Sequence, residues 1–241
     1  MIICHRGIKI ENENTLENII KTKDLTHKDI LFGVEFDIQL TKDNKLVCYH
    51  DENLLRLHNI DKRIVDNNYE DLNVKLPFLK DILEKIKDND NFFIDIELKY
   101  YDKLSNENYQ DEYCSVLLKE VEQIKKKDNL IISSFNYNLV KKLKKISNLN
   151  VGKIFFDEYN EKQINKLINL GVSYFVIHKD IIEMYLKYLD KNIKIVIYTL
   201  FNKKNYSNEL NDENLVKTLK KYNIGYITNN YKKMISIFIN F

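Results

Sequence analysis

Two acids, Glu35 and Asp37, lie two residues apart inside the apolar run Gly33 to Ile38. In a β-strand, side chains i and i+2 point to the same side. The spacing therefore sets both carboxylates on one face, with Val34, Phe36 and Ile38 on the other. Two carboxylates held that close repel, and burying them is costly unless a cation compensates. Mg²⁺ and Ca²⁺ prefer oxygen ligands, so one hard divalent cation is the natural remedy. The chain then turns through Lys42-Asp43-Asn44-Lys45 and returns as Leu46-Val47-Cys48-Tyr49-His50. Such a hairpin brings His50, a group able to carry a proton near neutral pH, back towards the acids.

Other polar groups fall at the ends of short apolar runs. His5 and Arg6 close the first, Met1 to Cys4. Glu97 and Lys99 close Phe92 to Leu98, with Asp95 one step earlier on the same face. Ser134 and Phe135 follow Leu130 to Ser133, His178 follows Ser173 to Ile177, and Thr228-Asn229 end the last run. Between these runs lie stretches with apolar residues at helical spacing, such as Leu79, Ile82, Leu83 and Ile86. Thr15 and Asn160 are candidate N-caps, Pro77 is a candidate first-turn residue, and a long helix is expected over 106–126. The polar stretch 54–73 reads as loop with some short structure.

Eight strands, each followed by a helical stretch, predict an α/β (β/α)₈ TIM barrel with a β-hairpin extension after strand 2. A doubly wound open sheet is the alternative, but no glycine-rich phosphate loop supports a nucleotide fold. With no linker or repeat, residues 1–241 are expected to form a single domain. In a barrel, the C-terminal strand ends form the active rim, which is where the acids, histidines and cations fall.

The net charge of +2 offers no nucleic-acid or membrane footprint, and runs such as Lys125-Lys126-Lys127 read as solvated faces. Three cysteines without metal spacing suggest reduced thiols, with Cys4 and Cys48 as small core residues. Met1 to Gly7 lacks the pattern of a secretory leader, and no apolar run reaches membrane length. The expected setting is the cytoplasm, without stable membrane insertion and without nucleic acid as partner.

His5-Arg6-Gly7, Glu13-Asn14-Thr15, the stretch from Gly33 to Asp51 and Ile96 to Lys99 occur in order. In this series the chain resembles the glycerophosphodiester phosphodiesterase family. Ser133 to Asn136 and Ile195 to Asn202 are similar to further landmarks of that family. The resemblance runs from residue 3 to roughly 230. It implies a metal-dependent hydrolase of lipid metabolism on a (β/α)₈ barrel. Glu35, Asp37 and Glu97 match metal-ligand positions, His5 and His50 acid/base positions, and Arg6 and Lys99 phosphate-holding positions. Glu13, Asp95, His178 and Tyr198 are candidates for the surrounding shell or pocket wall. His178 has the alternative of capping the helix that follows it. The chain departs from the family at Tyr198-Thr199, where tryptophan is usual, at Thr228-Asn229, where Asp is usual, and in its short segment after His50.

The chemistry is coherent on its own terms. A phosphodiester anion repels a nucleophile until its charge is screened, which one Mg²⁺ or Ca²⁺ with Arg6 and Lys99 achieves. One histidine takes a proton as the other gives one. His50 is the preferred base and His5 the preferred leaving-group acid. A hydroxyl beside the ester could attack first and give a cyclic phosphate, which water then opens. The expected products are an alcohol and glycerol 3-phosphate. Alternatives are another small phosphodiester, such as a lysophospholipid or surface-polysaccharide precursor, or a non-catalytic metal- or ligand-binding barrel. Turnover of a diester separates the enzymes from the last.

Overall fold

A computed structural model describes residues 1–89, 91–101, 106–125, 127–156, 159–199 and 213–240. Its strands are β1 (Ile2–His5), β2 (Phe32–Leu40), β3 (Leu46–Cys48), β4 (Phe92–Leu98), β5 (Leu130–Ser134), β6 (Asn150–Phe155), β7 (Tyr174–His178), β8 (Lys194–Tyr198) and β9 (Gly225–Thr228). Eight of them are parallel, in the order β1-β2-β4-β5-β6-β7-β8-β9, and β9 pairs back onto β1. The sheet is thus closed and has no open edge for a doubly wound arrangement. β3 is the hairpin extension, antiparallel to Ile38–Leu40 at the end of β2.

Alternation along each strand divides two cores. Val34, Phe36 and Ile38 of β2, and Phe92, Ile94, Ile96 and Leu98 of β4, face the layer under the helices. A separate cluster including Ile3, Phe93, Ile131, Ile154, Val176 and Ile227 fills the barrel interior. Burying each large aliphatic or aromatic side chain contributes roughly 1.5–3 kcal/mol, which drives closure of both layers. Towards their C-terminal ends the opposite faces of β2 and β4 carry the acids, Glu35 and Asp37 beside Asp95 and Glu97.

The helices are α1 (Leu16–Ile20), α2 (Leu55–His58), α3 (Leu79–Ile86), α4 (Glu107–Val121), α5 (Tyr137–Ile146), α6 (Glu161–Asn169), α7 (Ile182–Tyr185), α8 (Glu213–Lys221) and α9 (Tyr231–Asn240). Asn160 makes the capping box of α6 with Gln163. Thr15 occupies the N-cap of α1, but its hydroxyl donates back to the Asn12 carbonyl instead of accepting from the helix. Pro77 precedes α3 rather than opening it. Phe78 is the N-cap and bridges Val47, while the Pro77 carbonyl accepts from the Cys48 N–H, so Pro77 extends the hairpin. α4 begins behind an Asn106 cap and ends at Val121; Lys126, expected in this helix, lies outside the described residues, as do Leu200 to Asn202.

Residues 54–73 carry more order than their polar composition suggests. α2 and two 3₁₀ turns fold over β3, and Val47, Tyr49, Leu54, Ile64, Leu72 and Leu76 form a third small core. Cys4, Cys48 and Cys114 are all buried free thiols.

Lys153 of β6 is an unexpected passenger, 1% exposed among apolar groups. Its ammonium donates to the Ile154 carbonyl and sits 4.8 Å from the Phe155 ring centre and 5.1 Å from that of Tyr159. Burial pushes its pKa down to about 8 from 10.5. The folded state therefore binds fewer protons than the unfolded state between about pH 8 and 10.5, and stability rises with pH through that window. Below pH 8 the full penalty is present, on the order of 3 kcal/mol before the ring contacts offset it. Lys153→Met is expected to raise the denaturation midpoint at pH 7 and to flatten the alkaline rise, as urea unfolding at pH 7 and 10 will read. An unchanged or lower midpoint would show that the ring and carbonyl contacts fully compensate the buried charge.

Candidate active site

Strand register assembles the site. His5 pairs with Glu35 across β1 and β2, Glu35 with Asp95 and Asp37 with Glu97 across β2 and β4, and Glu97 with Ser133 across β4 and β5. One oxygen from each of Glu35, Asp37 and Glu97 lies within 4.8 Å of the others, and all three residues are buried. Glu35 and Glu97 of this cluster line a cavity of about 470 Å³ at the C-terminal end of the barrel, and Asp37 lies behind them against Arg6 and Lys99. His5, Arg6, Glu13, His50, Asp95, Lys99 and Tyr198 also line it.

Two fixed cations already face the acids. Lys99 Nζ lies 2.9 Å from Asp37 Oδ1 and 2.5 Å from Glu97 Oε1. Arg6 Nε lies 3.1 Å from Asp37 Oδ2, and its Nη1 donates to Glu13 Oε1 at 3.0 Å. The turn that aims Arg6 uses left-handed backbone at Arg6 (φ 55°) and Gly7 (φ 107°). A Cβ on Gly7 would also meet the Asn18 amide at 2.3 Å, so only glycine fits there. Asn14 reaches in from the same loop: its side chain donates to Asp37 Oδ2 at 2.8 Å and accepts from the Asp37 N–H at 3.2 Å.

The electrostatics separate the three acids. Glu35 is pushed well above the usual carboxylate range by burial and by the charges of Asp37 and Glu97. Glu97 is raised by burial, against the pull of Lys99. Asp37 is held low: burial opposes ionisation, but Lys99 and Arg6 outweigh it. Those acids hold Lys99 and Arg6 charged despite burial. Glu35 Oε1 is buried without a hydrogen-bond partner. An orphaned carboxylate oxygen within reach of two more acids is a donor set that suits one hard divalent cation. Glu35, Asp37 and Glu97 therefore fit a metal.

The histidines differ in their partners. His5 Nδ1 lies 2.8 Å from Asn229 Oδ1, and its Nε2 is 3.8 Å from Glu35 Oε2. Burial and the charge of Arg6 push His5 down to about 3 in the ligand-free protein. His50 Nδ1 lies 2.7 Å from Asp51 Oδ1, and burial lowers its pKa as well. Gln39 of β2 secures His50 by donating to the carbonyls on either side of it, Tyr49 at 2.9 Å and Asp51 at 2.8 Å.

Asp95 takes the Ser133 hydroxyl at 2.6 Å, is raised to about 8 by burial, and faces the cavity below Glu97. Of the two serines that end β5, Ser133 faces the cavity, whereas Ser134 turns its hydroxyl to the Leu98 carbonyl. Tyr198 and Phe135 form an aromatic wall, ring centres 6.4 Å apart. The Tyr198 hydroxyl donates to the Phe155 carbonyl at 2.8 Å, which finds a partner for the polar tip that replaces tryptophan's. His178 is not brought into the cavity. It caps its own turn, accepting from the Asp180 N–H at 3.4 Å, and stands edge-on to Tyr198 at 5.6 Å. Thr228 likewise caps, accepting from the Asn230 N–H, while Asn229 turns inward.

Arg56, Gln39 and the pairing of Asn229 with His5 are absent from the residues that sequence spacing singles out. Gln39 had a signal: it continues the inward alternation of Glu35 and Asp37 along β2. Arg56 sits in a polar stretch with no diagnostic period.

The sequence model of the glycerophosphoryl diester phosphodiesterase family matches residues 5–233. The chain belongs to this family. A glycerophosphodiester phosphodiesterase of Bacillus altitudinis is 31% identical over 151 residues, which cover 56% of this chain and 58% of that relative. The match thus spans little more than half the relative's length. Among solved structures, a glycerophosphodiester phosphodiesterase from Thermotoga maritima superposes with a TM-score of 0.71 at 24% identity, covering 98% of this chain and 97% of that one. A phosphodiesterase from Oleispira antarctica, in complex with the product sn-glycerol-3-phosphate, gives 0.76 at 21% identity over 100% and 97%. Both share the barrel fold with this family member. Among the described residues no helix is long and apolar enough to cross a membrane.

Proposed function

We propose that the protein is a divalent-cation-dependent phosphodiesterase that hydrolyses a glycerophosphodiester to an alcohol and glycerol 3-phosphate, a step of lipid metabolism. The observation that carries this reading is a cluster of three buried carboxylates, Glu35, Asp37 and Glu97, set at a cavity that Arg6, Lys99, His5 and His50 also line. Family membership and the product held by the Oleispira enzyme support the substrate class.

Glu35, Asp37 and Glu97 would hold the cation, which when bound supplies charge neutralisation at the non-bridging phosphoryl oxygens. Arg6 and Lys99 then turn from the acids towards the phosphate, Arg6 as a fork and Lys99 as a point charge. His50 gives its Nδ1–H to Asp51, which leaves Nε2 to take a proton from the attacking hydroxyl or water and stabilises the imidazolium as it forms. His5 protonates the leaving alkoxide through Nε2. Burial, and after it the charge of Arg6, holds His5 neutral in the free protein; a phosphodiester anion beside Arg6 favours the imidazolium and opposes both.

Residues 1–241 are read as one barrel domain. Three buried free thiols support a reducing, cytoplasmic setting.

The test is a substrate panel: glycerophosphocholine, glycerophosphoethanolamine and bis(p-nitrophenyl) phosphate, with p-nitrophenyl phosphate as the monoester control. Glycerol 3-phosphate release from at least one glycerophosphodiester, with the monoester untouched, is the expected result. No turnover of any diester would leave a non-catalytic binding barrel as the better reading.

A further inference from the structure

Arg56 of α2 makes two forked contacts at once. Its Nε and Nη2 reach Asp51 Oδ2 and Oδ1 at 2.5 and 3.1 Å. Its Nη1 and Nη2 reach Glu13 Oε2 and Oε1 at 3.0 and 2.6 Å. Each carboxylate is shared with an active-site group: Glu13 Oε1 also accepts from Arg6 Nη1, and Asp51 Oδ1 faces His50 Nδ1. Arg6, Glu13, Arg56, Asp51 and His50 therefore form one chain of alternating partners, spanning the loop after β1 and the loop after β3. Glu13 is only 8% exposed, so one end of the clamp is anchored out of water.

We propose that Arg56 is a positioning residue: clamped between Glu13 and Asp51, it fixes Arg6 and His50 relative to one another across the cavity mouth. The inference rests on the phosphodiesterase reading of the site. A planar guanidinium is the side chain that can satisfy two carboxylates in fixed geometry, where an ammonium supplies a point charge. Arg56 itself is nearly half exposed and Glu13 keeps Arg6 as a partner when Arg56 is gone, so the clamp's effect is expected in rate rather than in folding. Without Arg56, Glu13 competes undivided for Arg6, and Asp51 is free to rotate away from His50.

The experiment compares Arg56→Met and Arg56→Lys with wild type on bis(p-nitrophenyl) phosphate, alongside the His50 titration by NMR, assigned with His50→Gln. Arg56→Met is expected to lower kcat by about 10- to 100-fold with KM within about 3-fold. Its melting midpoint should match wild type. Arg56→Lys should recover part of the rate. In Arg56→Met Asp51 is free to leave His50, so His50 loses the carboxylate partner that favours its charged form and should give up its proton at lower pH. Of the other groups facing His50, Asp37 on β2, Lys99 after β4 and Tyr101, whose hydroxyl bonds the His50 carbonyl, do not touch Arg56, whereas Arg6 after β1 is drawn towards Glu13. An unchanged kcat in Arg56→Met, or a reduced kcat with the His50 titration unmoved, would overturn the proposal. Should wild type turn over no diester, the phosphodiesterase reading fails and the titration alone decides the clamp.

Discussion

Asp37→Asn is expected to abolish detectable divalent-cation binding and to lower diester turnover by about 10³-fold or more, several kcal/mol of lost charge stabilisation. Asp37 sits at the centre of the charge pattern: its two oxygens face Lys99 at 2.9 Å and Arg6 at 3.1 Å. It is also the acid held most firmly ionised, while burial raises Glu35 and Glu97. The fold should survive the change, because Lys99 keeps Glu97 and Arg6 keeps Glu13. Calorimetric titration with Mg²⁺ and Ca²⁺, read beside the melting midpoint, checks both halves. Wild-type metal affinity in a folded Asp37→Asn protein would remove Asp37 from the ligand set.

His5→Ala and His50→Ala should each cost about 10²- to 10⁴-fold in kcat, the range for loss of a positioned acid or base, while cation binding stays intact. The two variants should differ in their response to the leaving group. p-Nitrophenolate leaves without help, whereas a choline or ethanolamine alkoxide needs a proton. His5→Ala is therefore expected to be far milder on bis(p-nitrophenyl) phosphate than on glycerophosphocholine, and His50→Ala equally severe on both. Equal losses on the two substrates for His5→Ala would take it out of the leaving-group role, and a kcat near wild type on glycerophosphocholine for either variant would remove that histidine from proton transfer.

The barrel was legible because its strands and helices announce themselves by local period, and the acids because Glu35, Asp37 and Glu97 sit on inward faces of strands that register then aligns. His5 and His50 were legible as strand-end groups. What local pattern does not carry is partnership across the rim. Asn229 meets His5 only because β9 closes onto β1, and Arg56 meets Glu13 only because the segment after His50 folds over β3 around Leu54, Ile64 and Leu72. Pro77 was misplaced by two positions for the same reason. Its extended backbone is fixed by the carbonyl bond to Cys48, a contact 29 residues distant in sequence, rather than by its preference for a helix's first turn. His178 shows the converse: a strand-end polar residue whose nearest need was to cap its own turn.

The most direct test of the metal-dependent reading is turnover of glycerophosphocholine by wild-type protein before EDTA, after EDTA and gel filtration, and after adding back Mg²⁺ or Ca²⁺. The account predicts activity that falls to background with chelation, returns with one of the two ions, and saturates at one ion per chain held by Glu35, Asp37 and Glu97. Full turnover in the chelated protein would contradict it.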